Sequence, residues 1–219
     1  MTLRGGRAPG AWTMPSMESV AQEIAAAAAR LVVEEGLEWG PAKRRALKVL
    51  GLGPRTALPA NDLVEDAVRE YIDIFCADTQ PAELAALRRL AAVWMERLAE
   101  FRPHLAGAVW HGTATRLSDV YLQLFCDDPK SAEITLIDKG VAFEARSVNG
   151  FLGEPVDALS VSARCAELGE SIGVHLLIHD LGDLRGALRP DARGRPPRGD
   201  LAALRALMTM DLEAGHVQR

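Results

Sequence analysis

Asp119 and Tyr121 lie two residues apart in the run DVYLQLF (residues 119–125), which is rich in β-branched and aromatic residues and reads as a strand. Residues i and i+2 of a strand share a face. A carboxylate in the first place can hold a divalent cation, whereas a phenol that ionises near pH 10 is a poor magnesium ligand at neutral pH. Ahead of this strand, Gly112-Thr113 reads as a turn whose backbone N–H groups could approach a phosphate closely, with Ser118 just before the carboxylate. Further on, residues 173–179 (GVHLLIH) read as a buried strand carrying His175 and His179, which could ligate a metal together or simply fill a core. His111, beside the glycine turn, could contact a phosphate, act as a base or be solvated. The bland readings stand beside these: Asp119 capping a turn with Ser118, and Tyr121 as a packing residue.

The elements that must carry these residues change character along the chain. Residues 18–35 are alanine-rich and end at Gly36, as a helix does. Residues 41–50 fit a second helix with Pro41 in its first turn, and its Lys43, Arg44, Arg45 and Lys48 suit RNA or phosphate contact or a solvated face. Asn61 or Asp62 can cap a third helix to about Cys76, and a fourth runs from Thr79 to about Phe101 on a stripe of Leu84, Leu87, Leu90, Ala91, Trp94, Met95 and Leu98. From Pro103 onward the pattern predicts strands over residues 105–110 and 119–125, a helix over 129–139, and a strand over 141–148. A helix capped by Ser160 is expected to about Glu170, then the strand at 173–179. Residues 189–199, with Arg189, Arg193, Arg195 and Arg198, read as a mobile charged loop before a last helix from Asp200. No internal repeat is present.

The expected class is therefore α+β. A disordered leader (residues 1–17, with Met14 or Met17 as alternative starts) precedes a helical region (18–101). A mixed-sheet domain with flanking helices (102–188) follows, and an Arg/Pro-rich loop and C-terminal helix (189–219) close the chain. A net charge of −5 gives no global signal for nucleic-acid or membrane-surface binding. No apolar run is long enough for a transmembrane helix, and the first 17 residues lack a signal-peptide core. Cys76, Cys126 and Cys165 form no CxxC or zinc pattern, so reduced thiols in a cytoplasm are expected. Neither a P-loop, a Rossmann glycine fingerprint nor a Gly-x-Ser-x-Gly elbow occurs.

Over residues 105–128 the chain resembles the nucleotidyltransferase superfamily of the DNA polymerase β type. Gly112-Thr113 stands where that family has Gly-Ser after a strand, and Ser118-Asp119-Val120-Tyr121-Leu122 stands where it has Ser-Asp-Ile-Asp-Leu. The preceding segments AAAAARLVVEEGLEWGPAKRRALKVLG and LAAVWMERLAEFRPHLAGAV are similar to a group of bacterial proteins that place a helical region before such a domain, which extends the resemblance over about residues 20–180. The resemblance implies a mixed sheet, nucleotide bound through Gly112, Thr113 and Ser118, and magnesium or manganese held by carboxylates for phosphoryl transfer. It also marks departures. Tyr121 replaces the second carboxylate, His175 occupies the best match to the third, and the seven-residue step from Gly112 to Asp119 is short.

Three functions follow as expectations. The first is a catalytically impaired nucleotidyltransferase-like protein that binds a nucleotide triphosphate, an RNA or a protein partner. The second is an active nucleotidyltransferase with a rearranged metal site built from Asp119, His175 and Asp127 or Asp128. The third is a helical oligomerisation or interaction module.

Overall fold

Alanine at every few positions lets the first helices pack closely, and this region has a small core of its own. The computed structural model describes residues 17–191 and 193–217, so of the leader expected over residues 1–17 all but Met17 lies outside the described residues. Helices α1 (Met17–Glu35), α2 (Trp39–Val49) and α3 (Asn61–Phe75) bury Ile24, Ala28, Val32, Ala42, Ala46, Val64, Val68 and Ile72 among themselves. Gly36 ends α1 with φ +67°. Its missing side chain is used twice, because a Cβ there would also lie 2.8 Å from the carbonyl oxygen of Leu117.

Helix α4 (Gln80–Arg97) joins a different core. Its stripe of Leu84, Leu87, Ala91, Trp94 and Met95 packs, with a short 3-10 turn at Ala99–Phe101, against a six-stranded sheet. The strands are β1 (His104–Ala106), β2 (Val120–Cys126), β3 (Glu144–Asn149), β4 (Pro155–Cys165), β5 (Glu170–Asp180) and β6 (Arg198–Gly199), in the order β3-β4-β5-β2-β1-β6. Among the described residues only β2 and β5 pair in parallel. Helices α5 (Gly107–His111), α6 (Pro129–Asp138), a short α7 (Leu184–Ala187) and α8 (Leu201–Val217) complete the chain. The expected α+β class, helices first and a mixed sheet with flanking helices after, is what the chain forms.

Alternation sorts the sheet into two faces. Val120, Leu122, Leu124, Val174, Leu176, Ile178, Leu159 and Val161 are buried and belong to the core shared with α4. The opposite face carries Tyr121, Gln123, His175, His179 and Ser160, and it is the face that bears chemistry.

Two predicted elements are replaced. Residues 105–110 are not one strand: β1 stops at Ala106, Gly107 turns the chain at φ +72°, and α5 buries Val109 and Trp110. A six-residue apolar run has no period of its own to separate strand from buried helix. The helix expected from Ser160 to Glu170 is instead β4 and a turn. There Val161, Ala163 and Cys165 are buried while Ser162 and Arg164 are exposed, the two-residue period of a strand, and Ser160 sits mid-strand rather than at a cap. The strand predicted from Val141 begins at Glu144.

Candidate functional site

The strand registers build a row across the polar face. Tyr121 is paired with His175 across β2 and β5, and His175 with Ser160 across β5 and β4. Paired residues on neighbouring strands share a face, so three strands contribute one contiguous line of polar groups. The Tyr121 and His175 rings lie 4.8 Å apart at 32°.

Asp119, at the entry to β2, leans across onto β5. Its Oδ1 accepts the Gly173 backbone N–H at 3.0 Å and its Oδ2 lies 3.0 Å from His175 Nε2. His175 Nδ1 lies 2.9 Å from Ser160 Oγ. The tautomer that satisfies both contacts carries its proton on Nε2, donating to Asp119, and accepts the serine hydroxyl at Nδ1. The His175 hydrogen bond, with the Gly173 N–H and the Arg146 charge beside it, holds the Asp119 carboxyl below the usual carboxylate range against partial burial. Gly173 makes this possible, since a Cβ at that position would fall 2.6 Å from Asp119 Oδ1. Chemically the chain Ser160–His175–Asp119 is a proton-holding unit with an ionised end.

Tyr121 is tied to the helical region. Its hydroxyl donates to Glu38 Oε1, at the break between α1 and α2. Burial, then that carboxylate, pushes its pKa further up, so the phenol stays neutral. Gly107, the residue directly after β1, faces the Tyr121 ring, with a Cβ position 3.8 Å from it.

The magnesium or manganese pair implied by the resemblance does not fit this set. Hard divalent cations want several carboxylate oxygens, but here Asp119 is hydrogen-bonded through both oxygens, Glu38 is engaged by the Tyr121 hydroxyl, and between them stand a neutral phenol and an imidazole. Among the described residues no three His, Cys, Asp or Glu side chains converge as a ligand group. The rearranged set with Asp127 or Asp128 does not form either: both follow the far end of β2, about 25 Å along the strand from Asp119, and Asp128 caps α6 by accepting the Lys130 N–H at 2.9 Å.

The remaining sequence candidates scatter. Gly112 is not the turn after the strand; it ends α5 at φ +80°, beside Arg88 and Leu84, and Gly107-Ala108 takes the turn position. Thr113 is buried with its hydroxyl unpartnered, and Ser118 closes a turn by accepting the Thr115 N–H at 3.0 Å. His111 is lodged near Glu65, Arg69 and Arg195, and burial lowers its pKa. His175 and His179 do not form a metal pair, since four residues of strand separate them by about 13 Å. Lys43 leaves the basic cluster: it is buried and donates to Pro59 O at 3.0 Å and Asn61 Oδ1 at 2.7 Å, while Arg44, Arg45 and Lys48 stay exposed on α2. The segment carrying Arg193, Arg195 and Arg198 is pinned rather than free. Arg193 forks onto Asp66, Arg195 forks onto Glu65, and Arg198 is buried in β6.

Sequence reasoning missed Glu38, Gly107, Ser160 and Gly173. Only Gly107 had a usable local signal, a glycine directly behind an apolar strand. The others join the site through pairings 15 to 83 residues away.

Comparison with known proteins yields only solved structures. No family model matches the chain, and no curated protein matches it. One structural match, the Cid1 poly(U) polymerase bound to MgGTP, is 16% identical over 47% of this chain and 33% of that one, with a TM-score of 0.32. Cid1 in complex with the UTP analog UMPNPP is 14% identical over 52% and 36%, with a TM-score of 0.33. A cytoplasmic RNA terminal U-transferase is 16% identical over 50% and 36%, also with a TM-score of 0.33. The chain spans about a third of the length of these structures.

Proposed function

We propose that this chain is a nucleotidyltransferase-like protein whose metal-dependent catalysis is impaired and which binds a nucleotide, RNA or protein partner without turnover. The observation that carries this is the state of Asp119. The one retained carboxylate of the motif is held by His175 Nε2 on one oxygen and by the Gly173 N–H on the other, a hydrogen-bonded arrangement in which, among the described residues, no second carboxylate joins it to hold metal ions. The neutral Tyr121 phenol next to it is turned to Glu38 instead of offering a second carboxylate. The turn at Gly107 followed by β2 keeps the strand–turn–strand layout of the resemblance, which supports the family reading while the side chains argue against its reaction. Three free cysteines support a reducing, cytoplasmic setting. No helix among the described residues is long and apolar enough to cross a membrane.

The test is incubation of the full chain with each of the four NTPs plus magnesium or manganese, following binding and turnover separately. Binding without consumption is the expected result. Robust transfer of a nucleotide to RNA, protein or a small acceptor overturns the proposal.

A further inference from the structure

Four residues along β5 from His175, on the same face, lies a second polar cluster that the site above does not use. Arg198 of β6 is 8% exposed and His179 of β5 is 3% exposed. Arg198 Nη1 donates to Gln123 Oε1, but its Nε has no partner, and among the described residues no carboxylate lies within ion-pair distance of it. His179 Nε2 is likewise buried without a partner. Both groups flank one ring: the Arg198 guanidinium carbon stands 4.2 Å from the centre of Phe151, and the His179 ring centre stands 4.7 Å from it. Phe151 belongs to the β3–β4 hairpin turn, closed by Gly150 N–H to Glu154 O at 2.8 Å and Gly153 N–H to Gly150 O at 3.0 Å.

A buried guanidinium without a counter-ion is unfavourable, and an unfilled imidazole nitrogen beside it adds to the cost. Burial pulls the Arg198 pKa down to about 10, and burial with the Arg198 charge pulls His179 to about 4. The Phe151 face offers the cation partial compensation, yet it cannot accept a hydrogen bond from Arg198 Nε or His179 Nε2 in the manner of an oxygen. An oxyanion would do both at once.

We propose that Arg198 and His179 form a receptor for a phosphate-type oxyanion, capped in the present state by the Phe151 ring on its hairpin turn. The anion would accept from Arg198 Nε and from the Nε2–H of neutral His179, with Phe151 moving aside as the turn shifts. This inference stands on these residues and not on the reading of Asp119. The shared chemistry is a phosphate group, free or carried on a nucleotide.

The experiment titrates the full chain with inorganic phosphate at constant ionic strength, with a parallel ATP arm, reading Tm, calorimetric affinity and the His179 ring resonances. Phosphate is expected to raise Tm, bind one to one and shift His179 while leaving His175 in place. Arg198→Met is expected to weaken binding at least tenfold while its ligand-free Tm equals or exceeds that of the parent, because an uncompensated charge is removed. Phe151→Ala is expected to bind at least as tightly as the parent. ATP binding tighter than phosphate with the same loss in Arg198→Met supports a nucleotide phosphate as the ligand, and equal affinities support the free anion. A parent with no phosphate response, an Arg198→Met variant that keeps the response, or an unmoved His179 resonance overturns the proposal. The His179 readout on the parent keeps the test decisive even where Arg198→Met does not fold.

Discussion

The Asp119 carboxylate lies where a side chain on Gly173 would have to be: an ideal Cβ at position 173 falls 2.6 Å from Oδ1, 2.7 Å from Cγ and 2.9 Å from Oδ2. A residue at the entry to one strand therefore rests on the bare backbone of the next, and from there it reaches the imidazole two residues further along β5.

Gly173→Ala should expel that carboxylate, lowering stability by roughly 1–3 kcal/mol as overpacking does. In an Asp119→Ala background the same change should lose little, because the space is already vacant. A chemical-denaturation double-mutant cycle measures the coupling; equal costs in both backgrounds would show that Asp119 does not occupy the Gly173 surface.

Replacing the stacked pair together, Tyr121→Asp with His175→Asp, places three carboxylates on one face. This variant is expected to bind Mn²⁺ at least tenfold more tightly than the parent, and to be less stable than the parent without metal because like charges then crowd a half-buried site. Calorimetry with Mn²⁺ checks it. A parent that already binds as tightly as the variant contradicts the account of the site.

His179 should make stability depend on acid pH. Burial first, then the Arg198 charge, lowers its folded pKa to about 4, against which Asp183 acts weakly in the other direction. Between the ordinary value near 6.5 and 4 the unfolded chain binds the proton and the folded one does not. Stability from this group is therefore complete above about pH 6.5 and falls as pH drops toward 4, by up to about 3 kcal/mol. Urea unfolding at pH 7 and pH 4.5 should show this loss in the parent and a smaller one in His179→Gln.

Glu65 holds the Arg-rich segment to α3. Burial alone would raise its pKa, but hydrogen bonds from Arg195 and Arg69 hold it below the usual range. Arg195 bonds both of its oxygens, at 2.6 and 3.1 Å, and Arg69 bonds one of them at 2.8 Å. Glu65→Gln removes the acid that Arg69 and Arg195 share and leaves Arg195 only Asp191, an expected loss of about 2 kcal/mol, reduced from a fully buried pair because Arg195 is 31% exposed and keeps that second partner. Proteolysis near residues 189–197 should accelerate with it, whereas an unchanged cleavage rate would show that the ion pairs do not anchor the segment.

Local pattern was enough for the first helices, for β2 and for β5. Alanine content with a terminal glycine marks α1, helical spacing marks α3, and β-branched runs mark the two strands that form the centre of the sheet. Local pattern also put Asp119 and Tyr121 on one face, because side-chain alternation within a strand needs no knowledge of its neighbours. It failed where a segment supported two periods, as at residues 105–110, or where small residues hid a two-residue period, as at residues 160–165.

The identity of the site was decided by tertiary structure alone. Ser160, Gly173 and Glu38 meet Asp119, His175 and Tyr121 only because β4 pairs with β5, β5 with β2, and the α1–α2 break lies over the Tyr121 hydroxyl. The sequence by itself determined that a carboxylate and a phenol stand two residues apart at the start of one strand. Which groups that carboxylate bonds depends on cross-strand neighbours 54 and 56 residues away, and side-chain spacing within one strand carries no information about those.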